Sequence, residues 1–384
     1  MKKIYLTHAE VVLENEVLPD AAVLVEDGVI AAINPQSAGN AEEISLRGQI
    51  LIPGMIDLHC DALEKEVEPR PNVHFPLDFA VAQADKRNAA AGVTTVFHAL
   101  SFANHELGVR NNAFAADIAR AVHAWRPHAL VDNRVHCRYE VTDPTAPPVL
   151  LDLMQNGDMH LFSVMDHSPG QGQFKDIAAF RDYLARTYKK NDAELDALLA
   201  EKAGQSEGAM QRIEMLVEAA RGLGIRVASH DDDTPQKVEA VHALGVGISE
   251  FPINLESAQA AKSRGMHTIF GAPNILRGKS QSGSMRALDA VRQNVADCLC
   301  ADYAPAALIV AVFRLPQLAD ISLADAVRLV TRNPARAAGL DDRGNITAGQ
   351  RADLVSVAHI NGLAQAASVW TNGKLAYQAR FNHG

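Results

Sequence analysis

Strand-like and helix-like patterns alternate through the middle of the chain. Short apolar runs end near His59, Leu100, Glu140, His167, His230, Glu250, Pro273 and Asp302. Between most of them apolar residues recur at helical spacing, which predicts helices over 77–91, 111–125, 174–203, 210–223, 235–244, 255–264 and 285–296. Eight strands separated by helices predict an α/β chain folded as a (β/α)8 TIM-like barrel. The stretch 194–207, acidic and Ala-rich, predicts an exposed helix end and loop.

The two ends have another texture. Residues 3–6, 11–13, 22–26, 29–34 and 44–46 are short β-rich runs broken by turn signals such as Glu26-Asp27-Gly28. Near the other end 352–357 reads as a strand, and 369–377 as a hairpin around Asn372-Gly373. Neither piece is long enough to fold alone. Both ends are therefore expected to meet in one small β-sandwich, built from 1–52 plus 343–384, beside a barrel formed by 53–342.

The stretch LIPGMIDLHCD at 51–61 changes the picture from fold to chemistry. It reads as a strand ending in His59 and Asp61, and alternate residues of a strand face the same way. One imidazole and one carboxylate aimed together are half of a site for zinc or a similar divalent ion. An isolated His-x-Asp is usually an ordinary strand end. Here the other predicted strands also end in ionisable residues: Glu140, Asp166-His167, His230 before Asp231-Asp232-Asp233, Glu250 and Asp302. In a (β/α)8 barrel these ends share one mouth, where active sites lie. Carboxylates gathered there repel unless a cation or protons sit among them.

Composition narrows the function classes. The 384 residues are 48% hydrophobic, 21% charged and 5% aromatic, an ordinary balance for a globular enzyme. A net charge of −10 argues against a general nucleic-acid binder. The first residues are too short in apolar run for a signal peptide, and no run approaches a membrane span. Cys60, Cys137, Cys298 and Cys300 lack a framework spacing and are expected to be reduced thiols in a cytoplasmic protein. Cys298-x-Cys300 has the spacing of a metal pair, but core packing in a strand is the reading preferred.

The His-x-Asp of the first strand, the His of the fifth, the Asp of the eighth and the flanking β unit resemble the amidohydrolase superfamily of metal-dependent hydrolases. Five longer motifs are similar to the phosphonate-metabolism M family within it, from the carbon–phosphorus lyase pathway: LEKEVEPRP at 63–71, MDHSPGQGQF at 165–174, ASHDDDT at 228–234, GAPNILRGKSQSGS at 271–284 and ADYAPAALIVAVF at 301–313. The resemblance runs over nearly the whole chain in motif order. It implies hydrolysis of α-D-ribose 1-methylphosphonate 5-triphosphate to the 5-phosphate and pyrophosphate, with one or two Zn2+ ions as cofactor and Mn2+ the alternative. It implies metal ligands at His59, Asp61, Glu140 (as a bridging carboxylate), His167, His230 and Asp302, with Asp302 also the general base. His167 and Glu250 are each open between a metal and a substrate role. Glu250 is placed with the substrate-binding residues, at ribose hydroxyls or the outer shell of a metal. Lys65, Arg70, Arg277, Lys279, Ser280 and Ser282 are expected to contact phosphates, with Gln171 and Gln173 weaker candidates. The remaining histidines, His136 among them, receive no role.

Three positions depart from the family's pattern. Gln281 stands where His is usual, Ala62 where a polar residue is usual, and Ser284 where Asn is common. If the family's His gives a proton to the leaving group, Gln281 cannot replace it. The alternative is a paralogue with the same metal centre acting on an amide, ureide or other phosphate ester. A non-enzymatic scaffold is disfavoured by the convergent ionisable residues. The expected partner is a small phosphorylated sugar, with no nucleic acid or membrane, and a homodimer on the general frequency of such assemblies.

Overall fold

The computed structural model describes residues 3–104, 111–166, 208–280 and 284–381. Eight parallel strands run side by side in sequence order: β6 (Met55–Cys60), β7 (Val93–Phe102), β8 (Asp132–Glu140), β9 (Leu161–Met165), β10 (Arg226–His230), β11 (Ile248–Glu250), β12 (His267–Gly271) and β13 (Cys298–Cys300). All eight expected strands are present, and the TIM-like fold holds. The ring closes between β13 and β6 through a bridge of Cys60 with Asp302. Asp302 N–H donates to the His59 carbonyl (2.9 Å) and Asp61 N–H to the Asp302 carbonyl (2.7 Å). Lower in the seam Asp57 Oδ1 accepts from the N–H groups of His59 and Ala301. Closure therefore places His59, Asp61 and Asp302 together.

Period-two alternation divides each strand into an inner and an outer face. Ile56, Leu58, Phe97, Leu161, Ala228, Ile248, Ile269, Cys298 and Cys300 fill the barrel interior. Val135, Cys137, Tyr139, Phe162, Val164 and Val227 pack outward against helices. Cys298 and Cys300 are thus core residues, and all four cysteines are free and buried.

The predicted helix 77–91 matches Leu77–Ala91. Its successor, Asn112–Trp125, forms because Ala115, Ile118, Ala119 and Val122 make one buried stripe, and because Asn111 caps it. The Asn111 side chain accepts from the N–H groups of Ala113 and Phe114, a cap worth about 1 kcal/mol. The predicted helices 210–223, 235–244 and 255–264 appear as Ala209–Gly222, Pro235–Ala243 and Leu255–Ser263. The run 285–296 gives only Ala287–Arg292. Helices Ala146–Gln155 and Ala307–Ala319 were not expected. The predicted helix 174–203 and the stretch 194–207 lie outside the described residues.

Both chain ends join one mixed sheet. Its strands are β1 (Ile4–Val12), β2 (Val17–Glu26), β3 (Val29–Ile33), β4 (Glu42–Ser45), β5 (Ile50–Pro53), β14 (Leu354–Ile360), β15 (Leu363–Thr371) and β16 (Lys374–Gln378). The order is β16-β15-β14-β5-β1-β2-β3, with β4 beside β1. β5 joins the ends, pairing parallel with β1 and antiparallel with β14. The runs 3–6 and 11–13 are one strand. The polar break between them is a bulge at His8, with φ +53 and a register shift, and not a turn.

Gly54 carries the chain from β5 into β6. A Cβ there would lie 2.1 Å from Thr94 Oγ1 and 2.6 Å from Thr94 Cγ2. Gly54 N–H also donates to the Asp353 carbonyl (2.7 Å), so the backbone is tied to the sheet and has little freedom to move aside. Gly54→Ala is expected to destabilise the fold by about 3 kcal/mol, the upper end of ordinary overpacking. Urea unfolding would read this as a lower midpoint at unchanged slope. An unchanged midpoint would mean that the junction yields freely.

Candidate active site

The inner face of β8 carries three polar side chains in alternation: His136, Arg138 and Glu140, all buried. His136 is deepest. Its Nδ1 lies 3.1 Å from the Leu58 carbonyl and its Nε2 2.9 Å from Ser163 Oγ. A carbonyl only accepts, so Nδ1 carries the proton and Nε2 accepts from the serine. Burial holds this ring neutral, with its pKa brought down to about 3. Arg138 lies 3.2 Å from Asp61 Oδ1. Glu140 Oε1 accepts from Thr142 Oγ1.

His59 stands between two carboxylates. Its Nδ1 is 3.0 Å from Glu250 Oε1 and its Nε2 3.4 Å from Asp61 Oδ1. Burial opposes charge on the ring, but Glu250 and Asp61 outweigh it and raise its pKa to about 10. Glu250 also faces His136 Nε2 at 3.6 Å. Burial alone would favour its protonation, yet the charged His59 ring beside it holds its carboxyl down at about 2. Its Oε2 is buried and has no hydrogen-bond partner. One donor atom each from His59, His136 and Glu250 lies within 4.8 Å of the others.

His230 completes the floor, 5.6 Å from His59 between ring centroids. Phe251 packs against both rings, at 5.0 and 5.2 Å. It reaches them from a left-handed backbone with φ +51, a costly conformation for a bulky residue. Asp231 and Asp302 are also left-handed, at φ +54. The Asp302 carboxyl is raised above its ordinary range by burial and then by the Asp61 charge.

His59 and Asp61 do meet, but not by strand alternation. The β6–β7 register slips between Asp57 and Cys60. Asp61 lies past the strand with helical backbone, just before helix Ala62–Val67. The strand-to-helix turn, tied to Asp302, brings the pair together. The Asp231-Asp232-Asp233 run is partly scaffold. Asp232 accepts from Ser229 Oγ (2.6 Å) and Ser249 Oγ (2.5 Å), tying β10 to β11.

Of the expected site residues, His59, Asp61, Glu250, His230 and Asp302 converge. Glu140 shares the β8 inner face. Lys65 and Arg70 are exposed beyond the end of β6, and neither bonds to the cluster. Arg277 and Lys279 are exposed after β12, where Arg277 NH1 lies 3.3 Å from Tyr303 Oη. Ser280 follows them in the same loop. His167, Gln171, Gln173, Gln281 and Ser282 lie outside the described residues. His136 and Arg138 are additions. The polar-apolar alternation of residues 134–140 was the signal that could have found them.

The residues present suit a divalent cation. Asp61, Asp231, Glu250 and Asp302 crowd one mouth with Arg138 as the nearby fixed cation, and the buried Glu250 Oε2 lacks a partner. A proton on each His59 nitrogen would satisfy its two carboxylates, and a metal in place of one such proton would do the same.

Comparison with known proteins agrees. Residues 50–376 match the model of the Amidohydrolase family. The chain is 35% identical over 377 residues to the α-D-ribose 1-methylphosphonate 5-triphosphate diphosphatase of Escherichia coli (strain K12), covering 97% of this chain and 100% of that protein. Among solved structures it resembles the N-acetylglucosamine-6-phosphate deacetylase of Pasteurella multocida, with TM-score 0.65, 15% identity and coverage of 97% and 99% of the two chains. It also resembles the N-isopropylammelide isopropylaminohydrolase of Burkholderia multivorans, with TM-score 0.64, 15% identity and coverage of 98% of each chain. At such identities these structures bear on the fold alone.

Proposed function

This chain belongs to the amidohydrolase family, and on that premise we propose that it hydrolyses α-D-ribose 1-methylphosphonate 5-triphosphate to the 5-phosphate and pyrophosphate. The chain is a hydrolase of a metal-dependent family. The observation that carries the substrate is the 35% identity, end to end, with a diphosphatase of that compound.

The metal would be held by His59, Asp61, Glu250, His230 and Asp302, with Glu140 and His167 as further ligands. Three carboxylates among the first five leave room for Mn2+ as well as Zn2+. When bound, such an ion supplies a Lewis acid for the phosphoryl oxygen and lowers the pKa of water towards ~7.

The protein's own groups do the rest. Asp302, whose carboxyl is raised by burial and by Asp61, takes the proton of the attacking water. Arg138 fixes Asp61 from one side while His59 fixes it from the other. His136, itself held by Ser163, lies against the inner side of the fully buried Glu250. Lys65, Arg70, Arg277, Lys279, Ser280 and Ser282, on loops beyond β6 and β12, meet the phosphate chain. The expected setting is the cytoplasm. Among the described residues no helix is long and apolar enough to cross a membrane.

The test is pyrophosphate release from the ribose triphosphate by metal-reconstituted protein. Chelation should stop release and added Zn2+ or Mn2+ should restore it. Metal-loaded protein that releases nothing would overturn the substrate. Amides and ureides would then be tried, since Gln281 leaves the leaving group without the family's usual histidine.

A further inference from the structure

The far end of the barrel holds a second concentration of charge that hydrolysis at the mouth does not use. Where β10, β11 and β12 begin, Arg221, Arg226, His267 and Arg336 line a cleft of about 460 Å³. Arg226 and His267 are the first residues of their strands, opposite the ends that carry His230 and Gly271. No carboxylate lines the cleft. Arg336 closes it from helix Arg332–Ala338.

These arginines differ from others in the chain. Arg343 is paired with Asp132 and Asp342, Arg120 with Asp152 and Arg328 with Asp325. Among the described residues Arg221, Arg226 and Arg336 form no ion pair, although acids outnumber basic residues by 46 to 36 over the whole chain. Arg221 has only a long bond, 3.4 Å, to the Leu244 carbonyl.

Backbone geometry makes room for them. Gly245 has φ +96, and a Cβ there would meet Arg221 NH1 at 2.7 Å. Gly339 has φ +70, and a Cβ there would meet Arg226 Nε and NH2 at 3.1 Å. Each guanidinium thus lies against bare backbone that another residue would obstruct. His267 shares the crowding. Burial lowers its pKa, Asp297 opposes, and Arg336, Lys262 and Arg226 lower it further. Gathered like charges repel unless an anion joins them.

We propose that this cleft binds a phosphate-class anion, as free inorganic phosphate or as the phosphoryl group of a small phosphorylated molecule. Guanidinium groups offer paired donors to phosphate oxygens, and the volume lies in the range of small-ligand sites. This site is independent of the reaction assigned to the mouth.

The readout is the His267 ring signal in NMR spectra of the full-length protein, titrated with inorganic phosphate and separately with ribose 5-phosphate. An anion beside His267 should move its titration midpoint to higher pH. Response to both ligands would identify the bare anion as sufficient, and response to the sugar phosphate alone would identify an organic phosphate. Either supports the site. The Arg226→Ala, Arg336→Ala double variant should weaken the response about tenfold or more, since charge-assisted bonds are lost. The corresponding double Lys variant should retain part of it, and Asp302→Asn should respond as the unaltered protein does. No movement with either ligand overturns the proposal. So does equal movement with chloride at matched ionic strength, which would make the cleft only a charged surface.

Discussion

Asp302→Asn should leave a folded protein that releases pyrophosphate about 10²–10⁴-fold more slowly, the range of a lost general base. The fold should survive because the backbone of Asp302, and not its carboxylate, makes the two bonds that close the barrel. Asn also tolerates the left-handed conformation that residue 302 adopts. The amide keeps the shape and removes the one feature the proposed role needs, a carboxylate able to take a proton. Metal content separates the two roles proposed for Asp302. Full metal content with slow turnover identifies the base. A parallel loss of metal and rate identifies chiefly a ligand. Turnover at the original rate would remove Asp302 from both.

Much of this site is legible in the sequence because a parallel barrel turns strand ends into one surface. His59, His230, Glu250 and Asp302 can be read from their strands without knowing a single distance. What alternation could not supply was depth. His136 lies on the same inner face of β8 as Glu140, two inward positions deeper and beneath Arg138, and a mid-strand histidine reads equally well as core packing. It is both: a hydrogen-bonded core residue and the inner neighbour of Glu250. The local slip of β6 was invisible for a different reason. It depends on pairing with β7 and on the Asp57 side chain reaching β13, both long-range events. The helix Ala307–Ala319 escaped because its run of apolar residues, interrupted by Pro316, carries only Arg314 and Gln317 as polar positions, too few to set a period. The bulge at His8 looked like a turn because its polar residue breaks the strand pattern as a turn would.

Glu250 is where sequence and structure point to different chemistry, and Glu250→Gln decides between them. In the sequence it ends the sixth strand as a residue suited to ribose hydroxyls or to the outer shell of a metal. In the structure it is fully buried, 3.0 Å from His59 Nδ1, with the other oxygen unpartnered. A group that binds an open sugar hydroxyl has no need of such burial, whereas an anionic ligand whose position is fixed by the His59 imidazole does. Gln preserves the volume and can still accept from His59 Nδ1–H, so the fold should hold. It removes the negative charge that a cation would meet. The expected result is metal affinity lower by about 10–100-fold, the usual scale for disturbed metal sites. Activity should fall with metal occupancy and recover in part at high metal. Competition with a chelating dye measures the first effect, and assays over a range of metal concentrations the second. If affinity is unchanged and KM for the ribose triphosphate rises instead, Glu250 belongs with the sugar. The metal would then rest on His59, Asp61, His230 and Asp302, and the buried orphan oxygen would need a different explanation.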